Sequence, residues 1–328
     1  MRALVLGATG HIGAHVVRAL LAEGHQVCAA YRNDRFLSVL EGLPVEPVRV
    51  DLDSLDGLEP ALNGCEWVFH AAGYYPSLTD REDQAVERGI AIIHRVLERI
   101  RRAKPARVVF TSSAATIRHV AGRPANEQDA EVWPPSSPRT LYATVKIAME
   151  QEAVRAWQEG LPLIIVNPTL CIGEYDAHAF SGRAVLTFAK RHVPFYIDYR
   201  LNAVYTGDVG VGHVKAARQG RLGERYLLAC RNLSLKELAD LAAGAAGVRP
   251  PRWRLPYAAA ATASFATEVI GWITRTKPFV PREAVQSVRV GHVLDGTKAV
   301  RELGMPQTPI EEAVHRAVDW FKQNGYLG

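Results

Sequence analysis

Cysteine is scarce: 4 in 328 residues, with Cys28, Cys65, Cys171 and Cys230 far apart and no C-x-x-C pair. That spacing excludes a compact disulfide framework and a zinc cluster, and it reads as reduced thiols in a reducing compartment. No charge of one sign dominates. The 39 lysines and arginines face 34 acids, and a net +5 over this length is no nucleic-acid-binding signature. No leader is expected, because Met1-Arg2 runs straight into Ala3-Leu4-Val5-Leu6 without a basic region, long apolar stretch or cleavage site. A cytoplasmic location is the expectation. Nor is there a run of about 20 strongly apolar residues of the kind that spans a bilayer. The nearest approach, 255–273, has Glu268 as its sole charge but is diluted by Pro256, Thr262, Ser264, Thr267 and many alanines. It reads as a packed helix, with a surface for a greasy substrate as the other reading.

What is present is an ordinary globular composition, 48% hydrophobic and 22% charged. Strand-like segments at 2–6, 26–31, 45–50, 67–70, 108–111 and 163–166 alternate with helical patterns at 11–23, 84–102 and 141–159. This alternation predicts an α/β fold, a doubly wound parallel sheet of Rossmann type. Beyond Asn167 the strands shorten and prolines gather, which marks a smaller, interleaved C-terminal lobe. The expected division is 1–166 for dinucleotide binding, with 203–232 returning to it, and 167–328 mainly for substrate. Two capping boxes announce helices in that lobe, Ser234-x-x-Glu237 and Thr308-x-x-Glu311 with Pro309 in the first turn.

Gly7-Ala8-Thr9-Gly10-His11-Ile12-Gly13 follows the first strand and opens the first helix. In that context Gly7 permits a tight turn, Gly10 lets backbone approach a pyrophosphate, and Gly13 lets helix pack on sheet. A dinucleotide cofactor is the implication. The second strand ends Tyr31-Arg32-Asn33, with no acid for a ribose 2′-hydroxyl and a guanidinium in its place. NADP(H) is therefore preferred, with NAD(H) possible. Asp51-Leu52 after the third strand and Ala71-Ala72-Gly73 after the fourth complete the cofactor candidates.

Thr111, Ser112 and Ser113 place hydroxyls at the carboxyl end of the fifth strand, where open α/β sheets bind ligands. Thr111 joins the cofactor candidates and Ser113 the catalytic ones. Tyr142-Ala143-Thr144-Val145-Lys146 then sets a phenol and an ammonium four residues apart on one helix face. The cation is expected to lower the phenol pKa, so that Tyr142 exchanges a proton with a substrate oxygen while hydride moves at the adjacent carbon.

GATGHIG, HAAG, FTSSAAT, YATVK and VNPT, in this order, resemble the extended short-chain dehydrogenase/reductases of the NAD-dependent epimerase/dehydratase group. The C-terminal part is similar to hopanoid-associated sugar epimerases and dihydroflavonol-4-reductase-like proteins. The resemblance implies that Ser113 holds the substrate oxygen and Tyr142 is the acid/base. It also implies that Lys146 binds the nicotinamide ribose and tunes Tyr142, and that Pro168 and Thr169 lie beside the nicotinamide. Three positions depart from the group's pattern. Gly89 stands where many relatives carry an asparagine that supports a proton relay. Leu170 and Gly173-Glu174 replace residues that contact a nucleotide diphosphate. Ala114-Ala115 replace an acidic pair used in dehydration.

The resulting expectation is hydride transfer at a secondary alcohol or ketone carbon, of sugar-epimerase type. A ketone reductase acting on a more apolar substrate and a non-catalytic NADP sensor are the alternatives. Substrate candidates are Tyr74, Tyr75, Arg183 and Asn202, with Tyr196 and Tyr199 nearby in sequence. The proline-rich run 122–138 reads as a lid or a passive loop. Asp208 reads as a helix cap. The partners expected are a small molecule and a second copy of the chain, docked through the helices at 84–102 and 141–159.

Overall fold

The computed structural model describes residues 1–77, 80–136, 139–190, 193–256, 258, 259, 262, 291 and 293–327. Apart from 255, 256, 258, 259 and 262, the apolar stretch 255–273 lies outside them.

Seven strands form one parallel sheet: β1 (Arg2–Leu6), β2 (Gln26–Tyr31), β3 (Glu46–Arg49), β4 (Trp67–His70), β5 (Arg107–Thr111), β6 (Leu163–Pro168) and β10 (Arg225–Leu228). Their order is β10-β6-β5-β4-β1-β2-β3, and every pairing is parallel. The chain runs outward from β1 to β3, then crosses to β4 and proceeds the other way. The carboxyl ends of β1 and β4 thus flank the topological switch, where open sheets of this kind bind ligands.

Helices cover both faces. On one, α2 (Leu58–Leu62), α3 (Glu82–Ala103) and α4 (Leu141–Gln158) pack against Leu4, Val68, Val108, Phe110 and Ile165. Glu82 and Asp83 at the start of α3 and Arg101 and Arg102 at its end complement the helix dipole. On the other, α1 (His11–Ala22), α6 (Thr206–Gln219) and α8 (Thr297–Leu303) cover Val5, Phe69, Val109 and Ile164.

The small lobe has its own core. Strands β7 (Leu170–Ile172), β9 (Arg200–Tyr205) and β11 (Arg231–Ser234) form a three-stranded sheet in the order β11-β9-β7. A two-stranded pair joins β8 (Phe195–Tyr196) to β12 (Trp253–Arg254). Helices α5 (Arg183–Lys190), α7 (Leu235–Ala246) and α9 (Ile310–Gln323) enclose Ile172, Leu238, Val314 and Phe321. Between β9 and β11 the chain returns to the large domain as α6 and β10.

Of the two capping boxes expected in this lobe, one forms and one is corrected. Ser234 and Glu237 form the expected capping box on α7. Thr308 does not cap α9, whose N-cap is Pro309 with no side-chain bond. Its amide and hydroxyl instead donate to Asp208 of α6, at 2.6 and 2.9 Å. Asp208 is therefore a clamp between α6 and the approach to α9 rather than a cap of its own helix.

Candidate active site

Helix α1 begins without a side-chain cap and without an acid in its first turn. Its positive end therefore faces the switch point undischarged, as an anion site requires. Glycine is required at two places here, one in the turn before α1 and one in its first turn. Gly7 has φ +82°, and a Cβ there would stand 2.9 Å from the Ala72 backbone. A Cβ on Gly13 would stand 2.1 Å from the Gly7 carbonyl oxygen. These residues fit a dinucleotide pyrophosphate, held by backbone amides with strands β1 and β4 in close approach.

Not every residue of the turn faces a ligand. His11 is buried, its Nδ1 3.8 Å from the Asp176 carboxylate, and burial pushes its pKa down to about 3. Its ring packs inward and stays neutral, so it contributes backbone only. Arg32 and Arg35 are exposed, and neither guanidinium is paired with a carboxylate among the described residues. Asp51 accepts the Asp53 amide at 2.8 Å, shaping the turn after β3, and Leu52 packs against the α2–α4 core.

At the carboxyl end of β5 the hydroxyls divide. Thr111 is engaged by His213 of α6 at 2.9 Å, so its hydroxyl is not free for a cofactor. Because His213 Nδ1 lies 2.7 Å from the Val209 carbonyl, it donates there and Nε2 accepts from Thr111. Ser112 donates to Glu150, a buried carboxylate of α4. Ser113 accepts the Ala115 amide at 3.2 Å, and its hydroxyl acts on the charge of Tyr142.

Thr140 caps α4, accepting the Ala143 amide at 3.2 Å. The helix then presents Tyr142, Lys146 and Glu150 along one face at four-residue spacing. Lys146 Nζ lies 5.7 Å from the centroid of the Tyr142 ring and 5.2 Å from that of Tyr75. No carboxylate pairs with it among the described residues, and burial lowers its pKa to about 8. Tyr142 departs from the expectation of an acidified phenol. Burial pushes it up to about 12, and the Ser113 hydroxyl, pulling the other way, does not overcome this. Two groups stripped of water each favour their neutral form, and in the protein alone that outweighs their attraction.

Glu150 anchors this arrangement and sequence reasoning missed it. It pairs with Arg225 Nε of β10 at 2.6 Å and accepts Thr116 at 2.9 Å and Asn167 of β6 at 2.7 Å. Asn167 also donates to the Ser113 carbonyl at 3.2 Å, so the loop carrying Ser113 is fixed to α4. The recurrence of an acid four residues after Lys146 was the available signal.

The substrate candidates separate. Tyr75 stacks on Tyr142, centroids 5.7 Å apart and planes at 9°, and meets Phe180 at 4.4 Å. Phe180, also missed, ends a turn built on Asp176, which accepts the amides of Phe180 and Gly182 at 3.2 and 2.7 Å. Tyr74 packs beside Gly89, where a Cβ would lie 3.1 Å from Val145 and 3.4 Å from the Tyr74 ring. The close packing of α3 on α4 thus suits glycine at 89. Asn202 is buried, its amide donating to Asn232 at 3.0 Å and its oxygen accepting Cys230 N, so it ties β9 to β11 and the segment before it. Arg183 is exposed at the start of α5. Pro168 ends β6 and Thr169 follows it, its amide donating to the Leu228 carbonyl at 3.1 Å. The run 122–138 is tied down in its first half, by two 2.7 Å bonds from Arg123 to Asp129 and by the Leu227 amide donating to Glu127 at 2.8 Å. It is held as a passive loop there.

Among the described residues no helix is long and apolar enough to cross a membrane.

The family described as NAD dependent epimerase/dehydratase family matches residues 3–229. A putative dihydroflavonol 4-reductase of Synechocystis sp. is 33% identical over 329 residues, covering 98% of this chain and 95% of that protein. Sterol demethylase protein B of Methylococcus capsulatus is 28% identical over 334 residues, covering 100% of both. A solved nucleoside-diphosphate-sugar epimerase from Pseudomonas aeruginosa has a TM-score of 0.82 at 27% identity, covering 100% of this chain and 99% of that one. With its Rossmann sheet, glycine turn and interleaved lobe, this chain belongs to the NAD-dependent epimerase/dehydratase family of extended short-chain dehydrogenase/reductases.

Proposed function

We propose that the protein is an NADP(H)-dependent reductase that converts a ketone on a largely apolar small molecule to a secondary alcohol. A bound nicotinamide supplies the hydride. The chain supplies the proton and its placement. Ser113 orients the carbonyl oxygen, Tyr142 donates its phenolic proton to that oxygen, and Lys146 stabilises the charge left on the phenol. Tyr75 and Phe180 form an aromatic wall beside the reacting oxygen, suited to an apolar substrate.

The observation that carries this reading is the pair at the head of α4. Tyr142 is buried within the influence of the Ser113 hydroxyl, with the Lys146 ammonium 5.7 Å from its ring and paired with no carboxylate among the described residues. A phenol so placed can pass its proton to a carbonyl oxygen as hydride reaches the adjacent carbon, the step that reduction requires. The relatives named for dihydroflavonol reduction and sterol demethylation support an apolar, ring-bearing substrate. Arg32, unpaired at the end of β2, supports the 2′-phosphate.

A second reading, sugar epimerisation, is favoured by likeness to the Pseudomonas epimerase. Against it, Leu170 packs at the edge of the small-lobe core and Glu174 accepts the Tyr205 hydroxyl at 2.7 Å, so neither side chain offers a donor to a diphosphate.

The test is NADPH consumption with a panel of polycyclic ketones and nucleotide sugars. The reading expects net oxidation of NADPH with a ketone, lost by roughly 10²–10⁴-fold in Tyr142→Phe. Native-like turnover in that variant would overturn it.

A further inference from the structure

The turn built on Asp176 does more than close the small lobe. It carries His178 to the segment that follows β2, where its ring meets Phe36 with centroids 4.0 Å apart. The turn is rigidly seated. Asp176 accepts Phe180 N and Gly182 N, the Ala179 amide donates to the Asp176 carbonyl at 2.8 Å, and the Tyr326 hydroxyl donates to the Ala177 carbonyl at 2.8 Å. Phe36 in turn lies under Arg35, whose guanidinium carbon is 5.6 Å from the ring centroid. Arg32 and Arg35 both act on the charge of His178, and so does Asp176 on its own turn. The His178 imidazole and the Arg35 guanidinium thus share the Phe36 ring just past β2, in the segment that Arg32 opens, and neither arginine has a carboxylate partner among the described residues. Asp176 is the anion that acts on His178 there, and its carboxylate is already committed to the amides of Phe180 and Gly182.

We propose that His178 is a specificity residue for the cofactor, donating to the 2′-phosphate together with Arg32. The inference rests on the NADP(H) reading above and adds a group from the substrate lobe to it. A phosphate dianion supplies the counter-charge that the two arginines deny to an imidazolium. Burial and those arginines hold the His178 pKa below its ordinary value, Asp176 only partly offsetting them. Binding NADP(H) then reverses the balance and takes up a proton at His178. The preference for NADPH over NADH should widen from about pH 8.5 to about pH 6.5.

Calorimetric titration of NADPH and NADH into the native protein, His178→Phe, His178→Gln and Arg32→Ala tests this. Phenylalanine preserves the ring contact with Phe36, glutamine preserves a neutral donor, and thermal unfolding checks that each variant is folded. At about pH 6.5 His178→Phe should lose about tenfold in NADPH affinity with NADH affinity within about twofold, and its preference should no longer vary with pH. His178→Gln should recover part of the loss but not the pH dependence. Native NADPH affinity and pH dependence in His178→Phe, with the preference collapsing in Arg32→Ala, would overturn the role of His178 and leave the NADP(H) reading standing. Equal NADPH and NADH affinities in the native protein would overturn both.

Discussion

Removing the amine of Lys146 should make the protein more stable while it destroys activity. Lys146 is 4% exposed, has aromatic neighbours and faces no carboxylate among the described residues. Burial lowers its pKa from 10.5 to about 8, so the folded state disfavours the charged form by roughly 3 kcal/mol relative to the unfolded chain. That penalty is present in full below about pH 8. It fades as pH rises toward 10.5, because only the unfolded chain still binds the proton in that window and deprotonation then favours folding. Methionine fills a similar volume without a charge. Lys146→Met should therefore exceed the native protein by up to about 3 kcal/mol at pH 7, with the difference shrinking toward about pH 10. Urea unfolding of the cofactor-free proteins, followed by circular dichroism at several pH values, measures this directly. Turnover and cofactor affinity should both fall. A variant less stable than native at pH 7, or a gap that does not close as pH rises, would show that Lys146 is stabilised in the fold. The charged site argued here would then be wrong.

Glu150→Ala should destabilise by about 3–5 kcal/mol, because it leaves Arg225 and Asn167 without their buried carboxylate. Chemical denaturation against Arg225→Ala and the double variant separates pair from network. Gly13→Ala should cost at least about 1–3 kcal/mol and abolish NADPH binding, since its Cβ would meet the Gly7 carbonyl oxygen at 2.1 Å. Calorimetry and thermal unfolding read both effects. Arg32→Ala should remove most of the NADPH preference while leaving NADH binding near native, read by the same titrations.

The sheet was legible because its signals are local. Strands β1, β2 and β4 fall on the expected residues, as does the start of α4 at Leu141. The positions of Gly7 and Ser113 after β1 and β5, and of Tyr142 and Lys146 one turn apart on α4, also follow from local signals. What escaped depends on contacts between distant segments. Thr308 looks like a cap in sequence, yet Asp208, a hundred residues earlier, takes its amide and hydroxyl. Asn202 looks available for substrate until β11 brings Asn232 against it. The Tyr142 pKa was misjudged for a related reason. Spacing gives the distance to Lys146 but not the burial that raises the phenol to about 12. His178 and Phe180 lie in an irregular segment whose path is fixed by Asp176, and no periodicity points to them.

The most direct test follows the hydride itself. Deuterium-labelled NADPH, incubated with the protein and a polycyclic ketone it consumes, should leave one label on the new carbinol carbon for each cofactor oxidised, and Tyr142→Phe should leave none. Epimerised product with label retained on the cofactor and no net oxidation would contradict the reductase account.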